Sequence, residues 1–507
     1  MGGMPASLKL SLGVNLVGRA WAGAVAFLAT PVYLHWLGRE NFGLVAFCLL
    51  LQAVLGFVSA GLSDSANRKT SAVEKNGPAA VVEQQFAFIH LAWLVGLGLG
   101  VILAALSGWL ARYWLRLDHV GADAAEHAIQ LMAVVMALQV PIDLYVGIFL
   151  GARRHVTANF ALAGNATLRA LVTAGVVIFI APTVTAFFLA QISASLVTVV
   201  ICHAALRRGA RGQAKPAWRA TWPNVRASLH FSTGMTAVAF TGMLLGLADR
   251  IVLSRFLRLD EFGVYSVAVT LANLLYFLIS PVSATYYPEF SRCIAGEQKE
   301  RLVQLYHQAC QCIAVLVFPA GMILVFFGRE VLGLWTLNAA IAAEAAPVVA
   351  LLVAVRMIGA LNTIPYALQF AHGWFSLVLG SNVAAIILLL PVLCYLAVHF
   401  GAIGAATGYL VIALPFLGWI VWRMHRRLLQ GEAGRWWWRD TAPSLGLAAL
   451  LAGAWKYLEP GGLLRSGQLL WLGLASGVTL ALVVFANPTF REQGVRFFRG
   501  PKTPQPA

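Results

Sequence analysis

The chain has 507 residues, of which 60% are hydrophobic and only 11% charged, with a mean hydropathy of +0.78. A soluble protein cannot hide that much apolar surface, so the composition excludes a soluble enzyme or binding module and specifies a polytopic membrane protein. The 36 Lys and Arg against 20 Asp and Glu give a net charge of +16, but no polar segment is long enough to be a nucleic-acid-binding domain, so no nucleic acid is expected as partner.

Apolar runs long enough to cross about 30 Å of hydrocarbon recur fourteen times, at 12–34, 42–63, 86–110, 128–150, 159–180, 184–206, 229–254, 262–284, 304–327, 345–370, 374–397, 402–422, 441–458 and 468–486. The expected fold is an all-α polytopic membrane protein of fourteen transmembrane helices. Spans 1–6 form an N-lobe (1–206) and a basic loop follows (207–228). Spans 7–12 form a C-lobe (229–422), followed by a second basic loop (423–440), spans 13 and 14 (441–486) and a tail (487–507). With the N-terminus inside, the cytoplasmic segments hold 24 Lys and Arg, the outside segments hold 8, and four lie within spans. A three-to-one bias places both termini in the cytoplasm, and the net charge is mostly a topology signal plus attraction to anionic lipid.

The first run is too long for the apolar region of a signal peptide and a second span follows at once, so no cleavable leader is expected. The six cysteines (Cys48, Cys202, Cys293, Cys310, Cys312, Cys394) show no metal spacing and read as packing residues. There is no Gly-rich run ending in Lys-Ser/Thr, so neither ATP hydrolysis nor any cofactor is expected.

Sliding the chain along itself until Glu40 falls on Asp260 brings further landmarks into register. "ENFGLV" (40–45) then matches "DEFGVY" (260–265), Gly108 falls on Gly328, "FLGARRH" (149–155) on "LQFAHGW" (369–375), and Arg207 and Arg208 reach the loop that carries Arg426 and Arg427. Spans 1–6 and 7–12 are therefore expected to be two lobes of one topology, related by a pseudo-twofold along the membrane normal, as in many transporters.

Several of these stretches carry a specific resemblance. "YLHWLGRENFGLVAF", "AGLSDSANRKTSA", "QVPIDLYVGIFLGARRHVTANF", "LADRIVLSRFLRLDEFGVYSVA" and "PVSATYYPEFSR" resemble the polysaccharide-type flippases of the multidrug/oligosaccharidyl-lipid/polysaccharide exporter (MOP) superfamily, over roughly residues 8 to 430. The resemblance implies a bacterial plasma-membrane protein that moves a polyprenyl-diphosphate-linked oligosaccharide, such as an O-antigen or exopolysaccharide repeat unit, from the inner to the outer leaflet. It also implies membrane lipids, a polysaccharide polymerase and chain-length machinery as partners, and no enzymatic activity.

Four arginines lie inside spans: Arg19, Arg169, Arg250 and Arg356. Facing lipid, they would cost roughly 10–14 kcal/mol together, so they are expected to face a cavity or a partner. A surplus of buried guanidinium suits an anion, and its fork matches phosphate oxygens. The candidate substrate-binding set is therefore Arg19, Arg169, Arg250 and Arg356, with Asn15 one turn from Arg19 and Asn165 one turn from Arg169. Asp143 in span 4 and Asp249 in span 7 are the gate or coupling candidates. Asp249 and Arg250 are adjacent and point about 100° apart, so they cannot pair face-on. In one reading Asp249 instead holds an arginine of another span. Arg169 and Arg356 have an alternative role capping buried carbonyls or pairing with Asp143, and Arg19 has one snorkelling to the inner interface. Stripes on span 2 (Gln52, Gly56, Ser59, Ser63) and span 8 (Thr270, Asn273, Ser280, Ser283) read as helix packing before they read as binding. Prolines 31, 141, 281, 365, 391 and 415 allow bends without locating a hinge.

Three rivals stay open. A cation-coupled multidrug exporter of the same superfamily would carry an acid in span 1, where this chain has Arg19. A lipid II flippase would show more cations in spans 1 and 2. A membrane-embedded polysaccharide polymerase would need a sizeable outside loop with catalytic groups. The longest outside segments here, 111–127 and 328–344, are short. The cluster Asp118, His119, Asp123, Glu126 and His127 in the first of them reads as a solvated turn.

Overall fold

In hydrocarbon a backbone must satisfy its own hydrogen bonds, so apolar runs of this length have helix as their only open-chain solution. The computed structural model describes residues 6–73, 78–209, 233–487 and 490–491, and every apolar run within them is helical, with no strand among the described residues. The helices are α1 (Ala6–Leu37), α2 (Arg39–Val73), α3 (Pro78–Trp109, continued by a π turn over Leu110–Trp114), α4 (Ala122–Gly151), α5 (His155–Phe179) and α6 (Val184–Gly209). They continue as α7 (Thr233–Phe256), α8 (Leu259–Ala272), α9 (Leu275–Ala295), α10 (Lys299–Thr336), α11 (Ala339–Ala371), α12 (Phe375–Leu428), α13 (Ala442–Tyr457) and α14 (Arg465–Ala486).

Among the described residues eleven helices are long and apolar enough to cross a membrane, or twelve with α8 and α9 taken as one bent span. The 54-residue α12 holds spans 11 and 12, because Gly401 breaks it with φ 57° and ψ −138°. Its two arms pack against each other through Gly404, where a Cβ would overlap the Leu396 carbonyl. With the 16-residue α13, the helices account for all fourteen runs.

The pronounced bends avoid the prolines. Span 8 bends by 40° between α8 and α9, around Asn273 and Leu274. Helix α10 kinks at Phe327 (φ −112°, ψ 18°), two turns beyond Pro319. Pro31, Pro141 and Pro365 lie inside continuous helices.

The chain forms two compact units, residues 1–266 and 267–507. In the first, α4 is the hub, and its buried face joins α2, α3, α5 and α6 around Leu144, Tyr145, Ile148 and Phe149. Small residues set these distances. A Cβ on Gly96 or Gly100 of α3 would stand 2.6 or 3.0 Å from the Ala137 or Ala133 carbonyl oxygen of α4. Parallel α2 is hooked onto α4 by Ser63, which donates to the Asp143 carbonyl (2.7 Å), and by Ser71, which donates to the Gly151 carbonyl (3.0 Å). The serine stripe of span 2 is thus largely helix packing, worth most where no water competes. In the second unit α10 is the hub, flanked by α9, α11, α13 and α14. Ile323 and Phe327 of α10 meet Ala452 of α13 and Ala475 of α14.

The internal repeat is present in the backbone. In the turn after α4, the amides of Ala152, Arg153 and Arg154 donate to the carbonyls of Ile148, Leu150 and Phe149. In the turn after α11, those of His372, Gly373 and Trp374 donate to Leu368, Phe370 and Gln369, each the repeat equivalent of its counterpart. The left-handed residue of the turn is Arg153 (φ 56°) in one copy and Gly373 (φ 68°) in the other. The "ENFG" and "DEFG" turns also meet with local two-fold character. A Cβ on Gly43 would overlap the Leu259 carbonyl, and one on Gly263 would stand 2.9 Å from the Arg39 carbonyl oxygen. Since 39 and 259 are themselves repeat equivalents, the contact is reciprocal.

Gly43→Val and Gly263→Val should each destabilise the protein by about 1–3 kcal/mol through overpacking. Thermal unfolding in detergent should show the double variant costing less than the sum, because both glycines serve one contact.

Candidate functional site

In the first unit Arg169 and Asp143 are held by neutral partners. Arg169 on α5 donates through Nε to the side-chain oxygen of Gln191 on α6, and through Nη1 to Gln139 Oε1 on α4 at 3.1 Å. Gln139 in turn donates to Asp143 Oδ1 one turn along α4 (2.8 Å), and Asp143 Oδ2 accepts from Ser59 of α2 (2.5 Å). The arginine and the aspartate therefore belong to one chain of side chains across four helices, with an amide between them in place of a direct ion pair. Asn165, one turn from Arg169, is buried and accepts from Thr198 of α6 at 3.1 Å.

Asp249 and Arg250 part company as expected for neighbours on a helix. Asp249 is 2% exposed, and its Oδ2 accepts from the Tyr265 hydroxyl of α8 at 2.5 Å, so among the described residues its partner is a tyrosine and not an arginine. Its Oδ1 and the Arg250 Nε are buried with no hydrogen-bond partner among the described residues. Neither Arg169 nor Arg250 pairs with a carboxylate among the described residues. Asn15 and Arg19 lie on α1 outside the residues whose side chains are described.

In the second unit Arg356 of α11 is buried. It donates through Nη1 to the Tyr276 hydroxyl of α9 at 3.2 Å, and its guanidinium carbon lies 5.2 Å from the centre of that ring. Just before Tyr276 the break in span 8 opens beside an apolar cavity of about 460 Å³, lined by Leu274, Leu275 and Leu278, by Pro319 and Leu324 of α10, and by Leu480 of α14.

The loop between α3 and α4 is a self-satisfied turn. The Glu40 Oε1 accepts from the backbone amides of Asp118, His119 and Val120 at 2.9–3.0 Å. Asp118 pairs with Arg258 at 3.1 Å, while Asp123 and Glu126 pair with Arg112 at 3.0 and 2.8 Å. Its acidic residues are thus engaged with arginines, and these exposed pairs add little stability.

Another constellation escaped the sequence reading. His307 of α10 is 2% exposed and lies between two carboxylates, with Nδ1 bonded to Asp440 and Nε2 2.8 Å from Glu432 Oε2. Gln311, one turn on, donates to the other Asp440 oxygen at 2.7 Å. The nearby Tyr306 and His425 are joined at 3.3 Å, with Trp436 against the histidine ring. Both ring nitrogens of His307 thus face carboxylate side chains. The cluster ties the turn that precedes α13 to α10. Its one sequence signal was the pair His307 and Gln311 at helical i,i+4 spacing inside an apolar run. Gln139 and Gln191 left a similar trace as polar residues at membrane depth.

The two units, their long helices and their repeat define a multi-pass membrane protein with the fold of the MOP-superfamily transporters. The chain superposes on the lipid II flippase MurJ in an inward closed conformation with a TM-score of 0.73 at 9% identity, over 95% of this chain and 99% of that one. An inward-facing multidrug resistance MATE family transporter of the MOP superfamily gives 0.67 at 14% identity, over 80% of this chain and 95% of the other. A Vibrio cholerae MATE transporter gives 0.57 at 15%, over 84% and 96%. Comparison with curated protein sequences gives no match. A family profile described as polysaccharide biosynthesis protein matches residues 36–336, more than half of the chain. The chain belongs to that family.

Asp440→Ala removes the hydrogen-bond partner of His307 and of Gln311 and should cost about 1–3 kcal/mol, as leaving buried polar groups unsatisfied does. Thermal unfolding in detergent measures the loss, and the exposed neighbour change Arg439→Ala should leave the melting temperature unmoved.

Proposed function

We propose that the protein is a flippase carrying a polyprenyl-diphosphate-linked oligosaccharide from the cytoplasmic to the periplasmic leaflet of a bacterial inner membrane by alternating access. The observation that carries this reading is the unneutralised positive charge at membrane depth. Asp143 and Asp249 are engaged by Ser59, Gln139 and Tyr265, while Arg169 and Arg250 have no carboxylate partner among the described residues. A diphosphate offers those guanidinium groups the bidentate acceptors that the protein withholds. Arg356, with Tyr276, and Arg19, with Asn15, complete the binding set, and Asn165 positions the Arg169 helix. Asp143 and Asp249 serve as gate or coupling carboxylates.

A cationic drug would meet the wrong sign of charge at Arg169 and Arg250. The apolar cavity between α9, α10 and α14 suits a polyprenyl tail and gives span 14 a part in transport. The bias of basic residues favours cytoplasmic termini. The released repeat unit would pass to a polysaccharide polymerase and chain-length machinery, and the protein itself would catalyse no bond change.

Deleting the gene in its host should make polyprenyl-diphosphate oligosaccharide build up in the lipid extract while surface polysaccharide disappears, both read by mass spectrometry. Complementation with Arg169→Ala or Arg356→Ala should restore less than a tenth of wild-type polysaccharide at normal protein levels. Unchanged lipids together with new sensitivity to toxic cations would instead identify a cation exporter.

A further inference from the structure

The second basic loop holds an arrangement that topology alone does not require. Helix α12 starts just after Trp374, reverses at Gly401 and returns to bring Arg423, Arg426 and Arg427 beside its own beginning. The guanidinium carbon of Arg427 lies 4.3 Å from the centre of the Trp374 ring, and that of Arg426 lies 5.3 Å from the Trp422 ring. The three arginines sit at i, i+3 and i+4, which is one face of a helix, where like charges repel one another. All three are exposed, and none is paired with a carboxylate among the described residues. With Trp374 they line a cavity of about 210 Å³.

We propose that Trp374, Arg423, Arg426 and Arg427 form a phosphate site for the headgroup of a lipid. An indole beside a guanidinium interacts with it through the ring face and accepts none of its N–H groups in the ring plane, so Arg427 and Arg426 keep donors for oxygen acceptors. The fork geometry of those donors matches a phosphate. The anion also removes the repulsion among the three charges. A lipid is the source, because the site closes the apolar run 402–422 and carries two tryptophans, Trp374 and the half-exposed Trp422, a residue enriched at the headgroup level of membranes.

The first repeat supplies the contrast. There the position of Trp374 is taken by Arg154, which lies against Gly209. That end of α6 is equally basic, through Arg207 and Arg208, but has no ring at the equivalent of Trp374. The stacked site thus belongs to the second copy alone. Two lipids share the required chemistry: a resident anionic phospholipid and a polyprenyl phosphate carrier. The site stands without the flippase reading, and the second lipid would extend that reading.

The full chain in phosphatidylcholine nanodiscs, titrated with phosphatidylglycerol and with polyprenyl monophosphate and read by native mass spectrometry, tests this. The wild type should retain one or both over phosphatidylcholine. R423Q/R426Q/R427Q should weaken retention on the order of fivefold for each arginine neutralised. Trp374→Leu, which keeps every charge, should weaken it several-fold on its own and serves if the triple variant fails to fold. Displacement of phosphatidylglycerol by an equal amount of polyprenyl monophosphate assigns the site to the carrier, and its persistence assigns the site to resident lipid. Equal retention by a monodisperse triple variant, no preference over phosphatidylcholine in the wild type, or displacement by the same concentration of inorganic phosphate would each overturn the proposal.

Discussion

A bilayer supplies no water to its interior, so each polar group at depth must find its partner within the protein. That constraint explains why Arg169, Asp143 and Asp249 are met by amides, a hydroxyl and a phenol. An acid placed directly on Arg169 would cancel the charge. Gln139 and Gln191 stabilise the guanidinium through hydrogen bonds and leave its sign intact. Asp143, approached by Ser59 and Gln139, is treated in the same way. Neutral donors and acceptors satisfy these groups without an ion pair.

Close packing by small residues makes that possible. Gly96 and Gly100 let α3 lie against α4, and Ser63 and Ser71 tie α2 to it, so Ser59 reaches Asp143 from a helix already held in register. The α2–α4 contact that serves association also positions the polar chain. Packing and function share one interface, and a single stripe of small and hydroxylated residues cannot be assigned to one or the other from its composition.

The sequence was informative about depth and period. Fourteen runs gave fourteen helical segments, and the offset that puts Glu40 on Asp260 reappears down to individual backbone hydrogen bonds in the turns after α4 and α11. It was uninformative about azimuth, because a residue's height in the membrane is set by counting while the side it faces is set by neighbours far away in the chain. Asp249 could be placed within its span, but Tyr265 could not be chosen as its partner over an arginine. Bends were illegible for a related reason. Prolines mark where a helix can bend, yet neighbouring helices hold Pro31, Pro141 and Pro365 in continuous helix while the chain breaks near Asn273 and at Gly401. The His307 cluster was hidden because its members come from segments that read separately as a span and a loop.

That cluster also bears on how the protein is made. His307 and Asp440 are separated by 133 residues. At about 5–20 residues per second of synthesis, the histidine waits on the order of ten seconds for its acid. Spans 9 to 12 are therefore synthesised before either acid that His307 meets, and the tie between α10 and the turn before span 13 can form only once Asp440 has emerged. A chain that ends before that turn lacks both of those partners.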